Sequence, residues 1–246
     1  MKHSWPIITL KTVDSTNNYA NLLIADNVNI NECAITALFQ TEGRGQKSNI
    51  WISEEGQNLT FSLLLNTKYL KAENQFALSQ SISLGIIDFL HRYNIDAEIK
   101  WPNDILIKKK KIAGILIENS IQGAFLFFSV VGVGININQT IYDSIGFEAT
   151  SMKLETKKDF KCDELLNDLL DCLQYRIELL KQQDFILLHK EYLKNLFHFQ
   201  AWSLFIKNGQ TIKAKIIDVS NFGELVILSA EDKIEKYMFQ EIKIIV

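Results

Sequence analysis

The segment 98–133 most constrains the fold, because four strand-like stretches follow one another there with very short connections. Apolar and β-branched residues dominate Glu98–Trp101, Ile105–Ile107, Ile112–Glu118 and Phe125–Val133. The lysine-rich turn between the second and third stretches is too short for the crossover that a parallel pair requires. We therefore expect antiparallel hairpins within one sheet.

Helical patterns surround this sheet. Apolar residues recur at helical spacing over Phe76–Tyr93, and helical patterns return at Cys162–Lys181 and Phe185–Leu196. Ser15 and Thr16 are good caps for an early helix. Three more strands are predicted at Ile7–Leu10, Cys33–Phe39 and Leu59–Leu65.

The pattern changes from Ala201 onward. Five short β-branched runs follow one another, separated by turn signals such as Asn-Gly. We therefore predict an α+β chain, with a mixed β-sheet flanked by helices in residues 1–198 and a small β-barrel in residues 199–246.

Composition excludes several classes of protein. The formal net charge of −3 lacks the basic excess of a nucleic-acid binder, so we expect no specific DNA binding. Three scattered cysteines argue against a disulfide framework or a zinc site. The apolar run Gly123–Ile135 is too short for a membrane helix, and the N-terminus lacks a signal peptide, so we expect a soluble, cytoplasmic protein without membrane contact.

Known catalytic motifs are absent from the sequence. It has no Walker A motif and no Gly-x-Ser-x-Gly elbow, and its four histidines do not cluster. P-loop, serine-hydrolase and metalloprotease functions therefore lack support.

The loop 40–58 carries the first candidate site. Gly43 and Gly45 flank Arg44, so the backbone can approach a ligand while the guanidinium faces carboxylate or phosphate oxygens. Trp51 offers a flat face on which a base could stack. The alternative is an ordinary surface loop with a solvated arginine.

The segment Lys100–Asp104 carries the second candidate site. Its proline interrupts the strand pattern and can direct Asn103 and Asp104 away from the sheet. Such a pair suits a sugar hydroxyl, a magnesium ion or an amine, whereas the alternative is a tight turn.

Two further candidates follow on the next strands. Lys111 begins a strand beside the small Gly114 and could neutralise phosphate charge, whereas Lys108–Lys110 are expected to be a solvated tip. Asn136, after the glycines of Gly132–Asn138, could read an adenine edge or close a turn.

Together, these motifs resemble the biotin–protein ligase family over roughly residues 10–140. Asp14–Asn17 matches its D-S-T-N, and Gly43–Trp51 matches its G-R-G loop ending in tryptophan. The other matches are Lys100–Asp104 with K-W-P-N-D, Lys111–Leu116 with K-x-A-G-I-L, and Gly132–Asn136 with G-x-G-x-N.

The resemblance implies a catalytic domain like that of class II aminoacyl-tRNA synthetases, followed by an SH3-like domain. It implies that ATP and biotin, with Mg²⁺, form biotinyl-5′-AMP, and that the biotinyl group then passes to a lysine of a biotin carboxyl carrier protein. Members are monomers or homodimers. Because D-S-T-N begins at Asp14, we expect no room for the winged helix that some members carry.

The resemblance also assigns roles to residues. Catalysis falls to Arg44, Lys111 and Asp104. Biotin contacts fall to Ser15, Thr16, Asn17, Gln40, Gly43, Arg44, Lys111 and Gly114. ATP contacts fall to Arg44, Gln46, Lys47, Asn49, Trp51, Asn103, Lys111 and Asn136. Mg²⁺ is assigned to Asp104.

The sequence departs from the family pattern at one place. The family commonly carries a basic residue and a glycine after Gly-Arg-Gly, whereas this chain has Gln46–Asn49 with Lys47 and Ser48. The alternatives are a lipoate or octanoate ligase or transferase of the same fold, and a non-catalytic binding module or regulator. D-S-T-N and K-W-P-N-D favour biotin.

Overall fold

The structure is a computed structural model that describes residues 2–26, 31–47, 49–142 and 148–245. The strands are β1 Ile7–Val13, β2 Cys33–Gln40, β3 Leu59–Asn66, β4 Glu98–Lys100, β5 Asp104–Ile107, β6 Lys110–Gln122, β7 Phe125–Ile135, β8 Trp202–Lys207, β9 Gln210–Val219, β10 Leu225–Ser229, β11 Ile234–Tyr237 and β12 Ile242–Ile244. The α-helices are α1 Thr16–Ala25, α2 Phe76–Arg92, α3 Met152–Thr156, α4 Cys162–Lys181 and α5 Phe185–Lys194.

Seven strands form a mixed sheet in the order β1-β2-β3-β7-β6-β5-β4. β1 and β2 are parallel, and the other neighbouring pairs are antiparallel. The mixed sheet and the antiparallel hairpins of segment 98–133 are therefore confirmed.

Helices cover the two faces of this sheet unequally. α2 packs on one face with α4 and α5 against it, and side chains such as Phe61 and Leu63 are almost fully buried there. The much smaller α1 lies on the other face, where Ala20 packs with Ile35 and Leu64. Alternate residues of one strand point to opposite faces, so β3 supplies both cores. The rest of the α1 face is left open for a cavity.

The C-terminal strands form a five-stranded antiparallel sheet in the order β11-β10-β9-β8-β12. This confirms a small β unit at the C-terminus, while the boundary between residues 198 and 199 stays a prediction. The indole Nε1 of Trp101 donates to the carbonyl oxygen of Gly223 at 2.8 Å. Gly223 also lies against the ring of Phe76, where an added methyl group would come within 2.7 Å. The two sheets are therefore held together beside the Lys100–Asp104 segment.

The short helix α3 was not predicted from the sequence. It begins after Ser151, whose side chain accepts a hydrogen bond from the backbone nitrogen of Leu154 at 3.2 Å. It has only five residues, which is too few for a helical repeat of apolar side chains to show. Among the helices that the structure describes, none is long and apolar enough to cross a membrane.

Candidate functional site

A cavity of about 1180 Å³ opens on the α1 face of the large sheet. Its walls come from the start of α1, the loop after β2 and the Lys100–Asp104 segment. The C-terminal sheet closes one side with Ile206, Ile242 and Lys243. The cavity is large enough for a small molecule and a nucleotide together, since ligand pockets span roughly 300–1,000 Å³.

Glycines form the floor of the cavity because of the register of three strands. Thr60, Gly134 and Gly114 lie side by side on β3, β7 and β6, and Gly132 lies two residues before Gly134 on the same face. Side chains above them take the space that a Cβ would fill. An added methyl group would come within 2.3 Å of the Trp51 ring at Gly134. These glycines therefore give the cavity its depth.

Uncharged polar side chains line one end of the cavity, here called the polar end, and Ser62 bonds to two of them without itself lining the cavity. The backbone nitrogen of Thr16 donates to Gln40 Oε1 at 2.7 Å. The Ser62 hydroxyl lies 2.7 Å from Thr16 Oγ1 and 2.6 Å from Asn17 Oδ1. Asn17 lies directly over Gly132, where an added methyl group would come within 2.3 Å of its Oδ1. Ser15, Thr16, Asn17 and Ser62 are all buried.

Arg44 lies next to the polar end and is held by an acidic residue. Its Nη2 donates to Glu118 Oε1 at 2.7 Å, and its Nη1 donates to Asn18 Oδ1 at 2.8 Å. The same carboxylate accepts from Asn17 Nδ2 at 2.8 Å. Arg44 lines the cavity with its side chain 39% exposed, so an incoming anion can reach it. Glu118 thus occupies donors that a ligand carboxylate could use.

The loop between Arg44 and Trp51 is a narrow hairpin. Trp51 N donates to the carbonyl of Gly43 at 2.9 Å, and Gly45 N donates to the carbonyl of Asn49 at 2.8 Å. A methyl group at Gly43 would come within 2.3 Å of the Trp51 carbonyl oxygen. Gly43 is therefore needed for closure of the hairpin, and its contact with biotin stays a prediction.

Charged residues form the opposite end of the cavity, here called the cationic end. Lys111 Nζ lies 2.5 Å from Asp104 Oδ1, and Lys100 Nζ lies 3.7 Å from Asp104 Oδ2. Asp104 pairs with Gly114 across β5 and β6 and with Lys100 across β4 and β5, so strand register brings all three side chains together. The Lys111 ammonium also lies 5.7 Å from the centre of the Trp51 ring.

Burial lowers the pKa of Lys100 below its ordinary value, because desolvation disfavours the ammonium. The Asp104 carboxylate opposes this effect and raises the pKa, while the neighbouring positive charge of Lys111 lowers it further. Two cations are thus held around one carboxylate in a partly buried place, which is an arrangement that favours a bound anion.

Asp104 forms ion pairs with two lysines at the cationic end. Both of its oxygens face lysines. Within the residues that the structure describes, no group of three or more histidine, cysteine or acidic side chains could hold a metal ion. In this structure Asp104 forms ion pairs with two lysines, and its role as a Mg²⁺ ligand stays a prediction.

Asn103 and Asn136 both line the cavity, but their amides hold the protein chain. Asn103 Nδ2 donates to the carbonyl of Ile115 at 2.8 Å, and Asn136 Nδ2 donates to the carbonyl of Thr150 at 2.9 Å. Each amide thus ties a loop to a neighbouring segment. Their contact with adenine stays a prediction.

The cavity brings together most of the predicted site residues. Those that line it are Ser15, Thr16, Asn17, Gln40, Arg44, Gln46, Asn49, Trp51, Asn103, Asp104, Lys111, Gly114 and Asn136. Gly43 and Lys47 do not line it, and the Lys47 ammonium instead donates to Gln240 Oε1 of the C-terminal unit. Ser48 lies outside the described residues.

Sequence reasoning missed Ser62, Glu118 and the role of Lys100. Ser62 and Glu118 carried a usable signal, because Ser62 interrupts the apolar run of β3 and Glu118 directly follows the apolar run Ile112–Ile117. Which face of the sheet they occupy depends on register, which the sequence alone does not fix.

The fold and the cavity together suit a small polar molecule bound beside an anion. A model of the "Biotin/lipoate A/B protein ligase family" matches residues 9–136, which is just over half of the chain. The chain belongs to this family.

Relatives and solved structures agree with this assignment. The "Bifunctional ligase/repressor BirA" of Bacillus spizizenii is 30% identical over 174 residues, which cover 69% of this chain and 53% of the relative. The "Biotin--protein ligase" of Schizosaccharomyces pombe is 27% identical over 90% of this chain and 38% of the relative. The chain thus spans about half or less of the length of these curated relatives.

A solved structure resembles nearly the whole chain. The biotin protein ligase from Aquifex aeolicus in complex with biotin and ATP has a TM-score of 0.79 and 29% sequence identity. The similarity covers 98% of this chain and 98% of that one. The C-terminal β unit is therefore included in the similarity.

Proposed function

We propose that the protein is an ATP-dependent biotin–protein ligase, which forms biotinyl-5′-AMP and passes the biotinyl group to a lysine of a biotin carboxyl carrier protein. One observation carries the proposal: a neutral polar end and a cationic end share one glycine-floored cavity. The neutral end suits the ureido ring of biotin, and the cationic end suits phosphate. Membership of the family and the likeness to a biotin- and ATP-bound ligase support it.

The first step joins two anions that repel each other. A biotin carboxylate oxygen forms a bond to the α-phosphorus of ATP, and the bond from that phosphorus to the pyrophosphate oxygen breaks. Lys111 and Arg44 lower the activation free energy of this step by neutralising the negative charge that develops in the transition state. Each is held by a carboxylate, Asp104 or Glu118, from which it must turn toward the substrates.

The second step passes the biotinyl group to the acceptor. A neutral lysine amine attacks the carbonyl carbon of the mixed anhydride, an amide bond forms, and AMP leaves with the anhydride oxygen. The incoming ammonium must first lose a proton to solvent, and the amide nitrogen loses a second proton to solvent as AMP leaves. Asp104 is the carboxylate at the cationic end, and we propose that it binds and positions the acceptor amine.

Magnesium would enter with the nucleotide as the magnesium complex of ATP, since Mg²⁺ commonly binds substrate phosphates. The protein residues supply no metal cluster of their own among those described. The steps above are therefore derived from side chains alone.

We also propose that the protein acts in the cytoplasm, as a monomer or homodimer, without sequence-specific DNA binding. Three free cysteines, of which Cys33 and Cys172 are buried, suit a reducing compartment. The negative net charge supports the absence of DNA binding, and a gel shift with nanomolar, sequence-dependent binding would contradict it.

Pyrophosphate release from ATP tests the proposal directly. We expect release with biotin and none with lipoate, followed by a mass increase of one biotinyl group on a purified carrier domain. Release with lipoate alone would favour a lipoate ligase, and release with neither would favour a binding module.

A further inference from the structure

The C-terminal sheet presents apolar side chains to solvent along β8. Trp202, Leu204 and Ile206 are 47%, 49% and 40% exposed, whereas the alternating Ser203 and Phe205 are buried. The alternation shows that one face of this strand packs inside the unit and the other lies open. A row of three exposed large apolar residues is unusual on a protein that binds nothing there.

Lysines border this row on both sides. Lys215 pairs with Trp202 and Lys213 pairs with Leu204 across β8 and β9, while Lys243 pairs with Ile206 across β8 and β12. The ammonium groups of Lys213 and Lys215 lie 5.8 and 5.5 Å from the Trp202 ring centre. The name outer face is used here for Trp202, Leu204, Ile206, Lys213, Lys215, Lys243 and Ile245.

The outer face carries only positive charges. The charged residues that pair with Trp202, Leu204 and Ile206 across β8 are all lysines, although the whole chain has a net charge of −3. The acidic Glu235 pairs with the buried Ile227 of the neighbouring strand, so its side chain lies on the opposite face of the sheet. The outer face is therefore complementary to a partner that combines apolar residues with carboxylates.

The outer face continues into the cavity described above. Ile206, Lys243 and Ile245 belong to it and also line that cavity. A smaller depression beside it is lined by Trp202, Leu204 and Lys213. A macromolecule that inserts a lysine side chain into the cavity from this side must lie across the outer face.

We propose that the outer face docks the acceptor protein, through an apolar patch rimmed by carboxylates near its target lysine. This inference rests on the proposed function. Trp202 supplies the anchor, since tryptophan often dominates binding energy at interfaces. The lysines steer the acidic partner and orient its target lysine toward the cavity.

Two variants test the docking surface without touching the cavity lining, Trp202→Ala and Lys213→Glu. We expect each to raise the KM for a purified biotin carboxyl carrier domain by about tenfold. Pyrophosphate release with biotin and ATP in the absence of the carrier should be unchanged, because that step needs no acceptor. In the wild type, the KM should rise with added salt, and Lys213→Glu should weaken this dependence.

The matched controls are Ile186→Ala and Lys190→Glu, because both residues are exposed on α5 and belong neither to the outer face nor to the cavity lining. Both should leave the KM for the carrier unchanged. An unchanged KM in Trp202→Ala and Lys213→Glu would overturn the docking proposal. A wild-type dimer that these variants convert to monomers would also overturn it, because the face would then bind a second copy.

Failure of the proposed function gives a different result. If the wild type releases no pyrophosphate with biotin, or adenylates biotin but modifies no carrier, the ligase assignment fails and the docking proposal falls with it. If the wild type does both and the variants behave like the controls, only the docking proposal fails.

Discussion

The polar end and the cationic end of the cavity hold their side chains in different ways. At the polar end, uncharged hydrogen bonds join Thr16, Asn17, Gln40 and Ser62 to one another, and Asn17 also donates to the Glu118 carboxylate. At the cationic end, Lys111 and Lys100 surround a carboxylate that an anionic substrate would have to replace. The polar end is therefore set before a ligand arrives, whereas the cationic end must exchange one partner for another.

This difference predicts that the polar end determines specificity for the ligand and that the cationic end determines the rate of the chemical step. Groups fixed in advance recognise a shape and leave unpaired polar atoms when the wrong ligand binds. Groups that change partner can favour the transition state over the bound substrates. We therefore expect polar-end variants to change the KM for biotin and cationic-end variants to change kcat.

Removal of the cation at position 111 should give the largest effect. Lys111→Ala is expected to lower kcat for biotin-dependent pyrophosphate release by about 10²–10³-fold, because a group that stabilises developing charge is lost. The neighbouring Lys110→Ala, whose side chain pairs with the exposed Glu148, should change kcat little. Equal losses in the two variants would remove Lys111 from the chemical step.

A methyl group on the cavity floor should disturb the polar end next most strongly. In Gly132→Ala the added carbon meets Asn17 Oδ1 at 2.3 Å and must displace it. We expect the KM for biotin to rise roughly 30-fold with a smaller change in kcat. The double variant with Asn17→Ala should be no worse than Asn17→Ala alone, since neighbouring changes that act through one group are not additive. Additive effects would contradict this explanation.

Loss of one buried hydroxyl should have a moderate effect. Ser62→Ala removes the group that joins Thr16 to Asn17, and the KM for biotin is expected to rise about tenfold. Ser129→Ala is the matched control, because Ser129 is equally buried and bonds to Thr67 and Asn119 instead. The control should lower stability but leave the KM unchanged, and a rise in both would mean that the effect is structural.

Relief of the Arg44 ion pair should have a small effect in the opposite direction. Glu118→Gln removes the negative charge that competes for Arg44, so we expect the KM for ATP to fall by about two- to threefold. The pair is partly exposed, which keeps the gain small. A higher KM for ATP would show that Glu118 positions Arg44 and does not compete for it.

The pH profile should shift slightly when the cationic end loses its carboxylate. Burial holds the pKa of Lys100 below its ordinary value, and Asp104 opposes that effect. In Asp104→Asn the opposing charge is gone, so the pKa of Lys100 falls further and the ammonium is lost at a lower pH. The alkaline limb of kcat/KM for adenylation should then move to lower pH, and an unmoved limb would exclude Lys100 from the profile.

The contrast between the two ends also shows what could be predicted from the sequence. The strands of segment 98–133, the long helices and the β unit after Ala201 were correct because hydrophobic periodicity and turn residues determine them locally. Arg44 and Lys111 were noticed because charged residues near glycines are conspicuous, and Asp104 because it follows the proline that interrupts the strand pattern. Their catalytic roles stay predictions. The order of the motifs along the chain then indicated the resemblance to the biotin–protein ligase family.

Long-range contacts could not be predicted in the same way. Ser62 meets Thr16 and Asn17 only because β3 lies beside β7 beneath α1. Glu118 reaches Arg44 across 74 positions of chain. Such contacts depend on strand order and register, which a single sequence leaves open. The role of Gly43 in the hairpin was missed for the same reason, since its contact with Trp51 exists only when the hairpin closes.

The glycine floor has a consequence for the far side of the sheet. Gly132 and Gly134 alternate along β7 with Val131 and Val133, which are buried in the layer that α2 covers. Glycines leave one face of this strand without side chains to pack, so the position of the strand depends on packing of the opposite face. Packing defects on the face that α2 covers would therefore weaken ligand binding in the cavity on the opposite face. The hydrophobic core thus supports the shape of the cavity from the other side of the sheet.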